Sequence, residues 1–150
     1  MYKVFPLILL SFVILGSFTA VFSSVSAFEL VADSWNTMAP MSQARYDLGV
    51  VAVDGKIYAI GGATSVNTYD GHIGGFVGTN ECYDPKTDIW VTLEPMPTAR
   101  HNFAIAECQN KIYCIGGYIV DESKWIIYDT VEMYDPATNS WSTKAALPFT

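Results

Sequence analysis

The chain contains two copies of one pattern, and this internal repetition constrains its fold more than any other feature. Arg45, Tyr58 and Gly61-Gly62 recur in the same relative register as Arg100, Tyr113 and Gly116-Gly117. A second block, Glu81-x-Tyr83-Asp84-Pro85-x-Thr87-x-x-Trp90, recurs at a slightly shorter displacement as Glu132-x-Tyr134-Asp135-Pro136-x-Thr138-x-x-Trp141. Trp35 precedes Trp90 by the same interval that separates Arg45 from Arg100. Most of the difference falls between the glycine pair and the Glu, a segment that runs over 63–80 in the first copy and only over 118–131 in the second. A period of this length marks a repeat architecture, in which each copy is one supersecondary unit.

Within one copy every signal is β. Leu48 to Val53 is a continuous apolar run, Asp54-Gly55 is a strong hairpin dipeptide, and Lys56 to Ile60 follows, ending at Gly61-Gly62. Asn80 to Asp84 reads as a third strand, Asp84 to Asp88 as a turn with Pro85 preset for it, and Ile89 to Leu93 as a fourth strand. The second copy predicts strands over 101–108, 111–117, 129–134 and 140–144. Runs that are apolar on both sides of the pleat imply sheets buried on both faces. Four short antiparallel strands in about 50 residues, stacked face to face, describe propeller blades.

Ahead of Glu29 the chain carries a single charge, Lys3. Met1-Tyr2-Lys3, an apolar span over Val4 to Val21, and small residues at Val25-Ser26-Ala27 read as a cleavable signal helix over 1–27. An uncleaved anchor is the rival, because the span approaches the ~20 residues that cross a bilayer. Either way the remainder is expected outside the cytoplasm, secreted or at the cell surface. That remainder holds every acidic side chain of the chain and every basic one except Lys3, and acids outnumber bases about two to one. Such an acidic balance with scattered charges argues against nucleic acid as a partner, and a membrane contact is expected only if the leader stays attached.

Cys82, Cys108 and Cys114 are an odd count, so at least one thiol stays unpaired or pairs with another chain. If Gln109-Asn110 is a two-residue turn, residue 108 opposes 111 and 105 opposes 114, and Cys108 and Cys114 point to opposite faces. A bridge between them is disfavoured, and the Cys-x5-Cys spacing without a nearby His fits no zinc site. The cysteines read as small buried apolar residues. No metal or cofactor is expected.

The glycine pairs, Tyr83-Asp84-Pro85 with Trp90, and Tyr134-Asp135-Pro136 with Trp141 resemble two kelch repeats. Pro-Met-x-x-x-Arg at 40–45 and Pro-x-Ala-Arg at 97–100 match the same pattern. The resemblance covers about residues 34–148. It implies an all-β chain of two four-stranded antiparallel kelch-type propeller blades: repeat 1 over 45–94, and repeat 2 over 95–150 with the start of a further connection. Residues 28–44 would then hold an N-terminal outer strand, bearing Trp35, and its connection. A closed propeller needs about four blades, so further kelch blades or other chains are expected to complete the ring.

Gly61, Gly62, Tyr83, Asp84, Pro85, Trp90, Gly116, Gly117, Tyr134, Asp135, Pro136 and Trp141 read as structural: aromatics fill the space between blades and glycines allow close approach. The Asp before each Pro organises a turn through its own backbone. Binding residues are expected on the face that carries the second-to-third and fourth-to-first connections. In kelch proteins this face commonly binds partners, and the arginine at the position of Arg45 and Arg100 often lines it. The alternative is that each Arg anchors its own loop. Tyr118 to Tyr128 reads as a hairpin with an aromatic tip, so Tyr118, Trp125 and Tyr128 join the binding set. The Gly-rich segment Ala63 to Asn80 reads as a flexible loop, with no following helix to make it a phosphate cradle.

No Gly-x-Ser-x-Gly or His-Glu-x-x-His motif occurs, and His72 and His101 are the two histidines. Some kelch propellers are enzymes, including galactose oxidases and sialic acid epimerases, but this chain lacks a matching copper set of Tyr, Cys and His. Three readings follow: a module binding a protein or glycan through its loop face, part of a carbohydrate-active enzyme, or a structural surface-repeat piece. The first is preferred, with no catalytic residues.

Overall fold

The structure is a computed structural model that describes residues 35–66, 73–122 and 124–148. The expected leader over 1–27 lies outside the described residues. The chain divides into two units, Met1–Trp35 and Asn36–Thr150. The second holds β1 (Gly49–Val53), β2 (Lys56–Ile60), β3 (Ala63–Val66), β4 (Ile73–Phe76), β5 (Asn80–Asp84) and β6 (Ile89–Leu93). These are followed by β7 (Ala104–Cys108), β8 (Lys111–Ile115), β9 (Tyr118–Asp121), β10 (Lys124–Ile127), β11 (Val131–Asp135) and β12 (Ser140–Lys144). Two four-stranded antiparallel sheets, β1-β2-β5-β6 and β7-β8-β11-β12, are the two blades.

Turn chemistry sets the register. Gln109 and Asn110 both adopt positive φ, at 54° and 58°, as a two-residue turn of the primed type requires. Cys108 consequently faces Lys111 and Ile105 faces Cys114, as the sequence predicts. Asp54 and Gly55 make the matching turn, with Val53 opposite Lys56. At the far turns, the Asp84 carboxylate accepts a hydrogen bond from the Lys86 amide at 2.9 Å, and that of Asp135 from Ala137 at 3.0 Å. This is the expected role of the Asp before Pro. The left-handed residues that close these turns, Asp88 and Asn139, accept from the hydroxyls of Tyr83 and Tyr134, each at 2.7 Å.

The core lies between the blades. Val53, Tyr58, Ile60 and Cys82 from the first cluster with Met96, Phe103, Ile112, Cys114 and Tyr134, and the Tyr58 and Tyr134 rings lie 6.2 Å apart. Burial on both faces of each sheet, which the apolar runs predict, is seen chiefly where a face meets the other blade. Away from that interface Val50, Ala106 and Cys108 are exposed, and Tyr113 and Met133 are half-buried.

The outer strand expected over 28–44 is absent from its described part. Residues 35–44 form no strand and the Trp35 side chain is exposed. Whereas β6 pairs with β5, no described strand lies alongside 35–38 to pair with it. The connection is instead fastened to the first blade at Ala39, whose amide donates to the Asp88 carboxylate and whose carbonyl accepts from the Trp90 indole, both at 2.8 Å. Glu94, at the equivalent position one repeat further on, is clamped in the same way by Asn139 and Trp141.

Cys82 and Cys114 are buried and Cys108 is exposed, so the expectation of buried cysteines holds for two of the three. Burial pushes the Cys114 thiol from 9.0 up to about 12 and raises that of Cys82 as well. Native protein treated with a thiol reagent near neutral pH should label at Cys108 only, with the other two reacting after unfolding. Labelling of native Cys114 would contradict this packing. A thiol pKa raised by folding stabilises fully below the unfolded value, so that contribution should disappear as pH rises from about 9 towards 12.

Candidate functional site

On the face carrying the second-to-third connections, the structure places two further hairpins. The segment 63–80 is not simply a loop: β3 and β4 pair within it, with Ala63 opposite Phe76 and Ser65 opposite Gly74. A bridge between Tyr46 and Ala63 ties its base to the preceding connection, overriding the low strand preference of its glycines. Residues 67–72, including Asp70 and His72, lie outside the described residues. The second hairpin, β9–β10, forms as the sequence predicts, with Tyr118 opposite Ile127 and Val120 opposite Trp125.

A row of rings joins the two hairpins. Phe76 stacks on His101 at 5.0 Å, His101 meets Tyr118 edge-on at 4.3 Å, and Tyr118 lies 4.6 Å from Trp125. The row begins between the blades and ends in solvent, where Trp125 is 65% exposed. Its middle is fixed by polar contacts. His101 is fully buried with Nδ1 3.3 Å from the Asp47 carboxylate, and the Asn102 amide donates to the Tyr118 hydroxyl at 3.3 Å. Asp47 and Asn102 occupy one repeat position and share a left-handed backbone, with φ of 51° and 52°. The Asn102 backbone nitrogen donates to the Asp47 carbonyl at 3.0 Å, linking the two blades at this rim.

Of the expected binding residues, the structure brings Tyr118 and Trp125 together. Tyr128 is half-buried at the base of the hairpin, where its backbone amide donates to the Gly117 carbonyl at 2.9 Å. Arg45 and Arg100 do not line the face. They are 8% and 0% exposed, and all but one of their guanidinium nitrogens are spent inside the protein. Arg45 donates to the carbonyls of Gly61 (2.7 Å), Thr79 (2.9 Å) and Ala59 (3.2 Å), and to the Glu81 carboxylate at 2.6 Å. Arg100 donates to the carbonyls of Gly116 (2.7 Å), Thr98 (3.0 Å) and Cys114 (3.1 Å), and to Glu132. The planar fork of five donors suits this convergence of carbonyls and one carboxylate, so each Arg is the anchor of its own connection.

Glu81 and Glu132, the acids of these pairs, recur in the sequence but reveal their role only here. The parts played by His101, Phe76, Asp47 and Asn102 are likewise not evident from the sequence. The available signal is the aromatic residue after each Arg, Tyr46 in one copy and His101 in the other. On the opposite side, a cleft of about 450 Å³ opens between the blades beside Tyr58, Lys56, Lys111 and Pro136. Its lysines face Asp84 at 3.7 Å and Asp135 at 2.6 Å, leaving little uncompensated charge.

Comparison with known proteins bears on this geometry. The kelch motif model matches residues 44–97 and 99–148. The chain belongs to the kelch-repeat family. It is 28% identical over 134 residues to Kelch-like protein 25 of Xenopus tropicalis, covering 89% of this chain and 22% of that protein. It is 30% identical over 128 residues to alpha-scruin of Limulus polyphemus, covering 83% of this chain and 14% of the relative. The solved structure of YjhT superposes with a TM-score of 0.64 at 20% identity, covering 77% of this chain and 42% of that one, a likeness of fold. The kelch chain described here thus spans less than a quarter of the length of these two curated relatives.

Proposed function

We propose that this kelch chain is an exported interaction module whose hairpin face binds a protein partner, with Trp125 and Tyr118 as the anchoring pair. One observation carries the reading: a largely exposed Trp stands on a hairpin braced by a row of rings that runs through the fully buried His101 to Phe76 of the other hairpin. Buried area around an exposed aromatic anchor supplies most of the energy of a typical interface. A glycan is the second reading, supported by two polar side chains along the row of rings, Asn102 at the Tyr118 hydroxyl and Asp47 at His101. Binding rather than turnover is favoured, because among its described residues the face offers a platform and hydrogen-bonding groups without an assembled nucleophile and base.

Trp125→Ala is expected to weaken capture of a partner by at least about 20-fold while leaving the melting temperature unchanged. Screening wild type and variant side by side on protein and glycan arrays measures it. Equal binding by both would sink the reading, and turnover of a bound sugar would replace it with an enzymatic one. Export rests on the leader of 1–27. Mass spectrometry of the protein secreted by an expressing cell should find Phe28 at the mature N-terminus, and retention in the cytoplasm would refute export.

A further inference from the structure

We infer that the partner is a cationic, extended polypeptide segment that adds a strand to the free edge of β10; this rests on the reading of the hairpin face as the binding face. Among the described residues β10 pairs with β9 alone, and all four of its residues are exposed. The ladder fixes which backbone groups remain free. Tyr128 N–H bonds to Gly117, and hydrogen-bonded pairs alternate in an antiparallel ladder, so Ile126 and Lys124 point their backbone groups at β9. Those of Trp125 and Ile127 point outward. An exposed β-branched edge of this kind, with neither proline nor bulge to blunt it, is a template for another strand.

The charges around the edge choose the occupant. The chain has only two arginines, and both are buried against glutamates, so this face presents no free guanidinium for an acidic ligand. Exposed Asp121 and Glu122 lie at the hairpin tip, half-buried Asp129 follows β10, and the Asp47 side chain is 44% exposed; Lys124 opposes them within the hairpin. Trp125 and Ile127 share one face of the ribbon with Tyr118 and Val120. An added strand would set alternate side chains over that face. A Lys or Arg there meets the Trp125 ring as a cation over an aromatic face. Asp121, opposite Lys124, is on the other face of the ribbon, so the tip carboxylates act on that cation through the net negative field of the hairpin rather than by contact.

The test is fluorescence anisotropy on the whole chain with three labelled octapeptides that alternate Val with Arg, Val with Glu or Val with Ser. The Arg peptide should bind at least about 10-fold tighter than the Glu peptide, and more weakly as salt shortens the screening length. Ile127→Pro removes one outward N–H while keeping the β9 ladder, a position where edge strands tolerate proline. It should abolish Arg-peptide binding with the circular dichroism spectrum and melting temperature unchanged. Asp121→Asn with Glu122→Gln should weaken the Arg peptide and flatten its salt dependence. Equal binding of all three peptides, still lost in Trp125→Ala, would overturn the cationic partner and leave the binding face standing. Binding of none, together with array binding indifferent to Trp125→Ala, would remove the face as well. Self-association abolished by Ile127→Pro would make the occupant a second copy and overturn the proposal.

Discussion

Arg100→Ala is expected to cost about 3–5 kcal/mol of folding stability, the usual result of removing one partner from a buried ion pair. The Glu132 carboxylate would remain buried, with the Thr98 hydroxyl at 2.9 Å in place of a cation. The carbonyls of Cys114, Gly116 and Thr98 would lose their donor together. Because small domains hold only about 5–15 kcal/mol in total, the loss should be visible as a large drop in urea midpoint. Arg100→Lys should recover little, since one ammonium cannot reproduce the fork. Arg100→Met combined with Glu132→Leu should recover much of it, because the stranded charge is removed with its partner. Arg45→Ala should behave alike, as Arg45 meets the same kinds of partner around Glu81. A loss below about 1 kcal/mol for Arg100→Ala would mean that the guanidinium is free, restoring it as a ligand-facing group.

These arginines also show where the sequence stops being informative. Their recurrence is visible, and so is that of Glu81 and Glu132, but these partners, distant along the chain, meet only after β2 pairs with β5 and β8 with β11. That pairing passes through the connection whose length differs between copies, and no local pattern reports it. Local chemistry does determine the rest of the frame: Gln109-Asn110 sets the turn, the turn sets the register, and the register separates Cys108 from Cys114. The β3–β4 hairpin is illegible for the opposite reason. Glycines at 74 and 75 lower its intrinsic strand preference, and it is held by the Tyr46 bridge and the stacking of Phe76 on His101, both tertiary. Trp125 is legible as an exposed aromatic; the buried His101 that braces it is not.

Two adjacent glycines offer a sharper test of the same frame, because they share a conformation and differ in surroundings. Gly116 and Gly117 both have positive φ, 66° and 93°. A Cβ on Gly116 would find its nearest neighbour, the Tyr128 carbonyl oxygen, at 3.5 Å, ordinary contact. On Gly117 it would lie 2.8 Å from both the His101 carbonyl oxygen and the Phe103 Cβ. Gly116→Ala should therefore cost about 1 kcal/mol, the penalty of an L-residue in the left-handed region. Gly117→Ala should add the cost of overpacking and lose about 3 kcal/mol or more. The backbone that must give way includes His101, which bridges to Tyr118 in both directions at 3.2 Å. Gly117→Ala should accordingly loosen the base of the β9–β10 hairpin, raising amide exchange at Tyr118 and Tyr128 before global unfolding. Equal costs for the two substitutions would show that conformation alone, and not the close approach of the connecting strand, keeps glycine in both places.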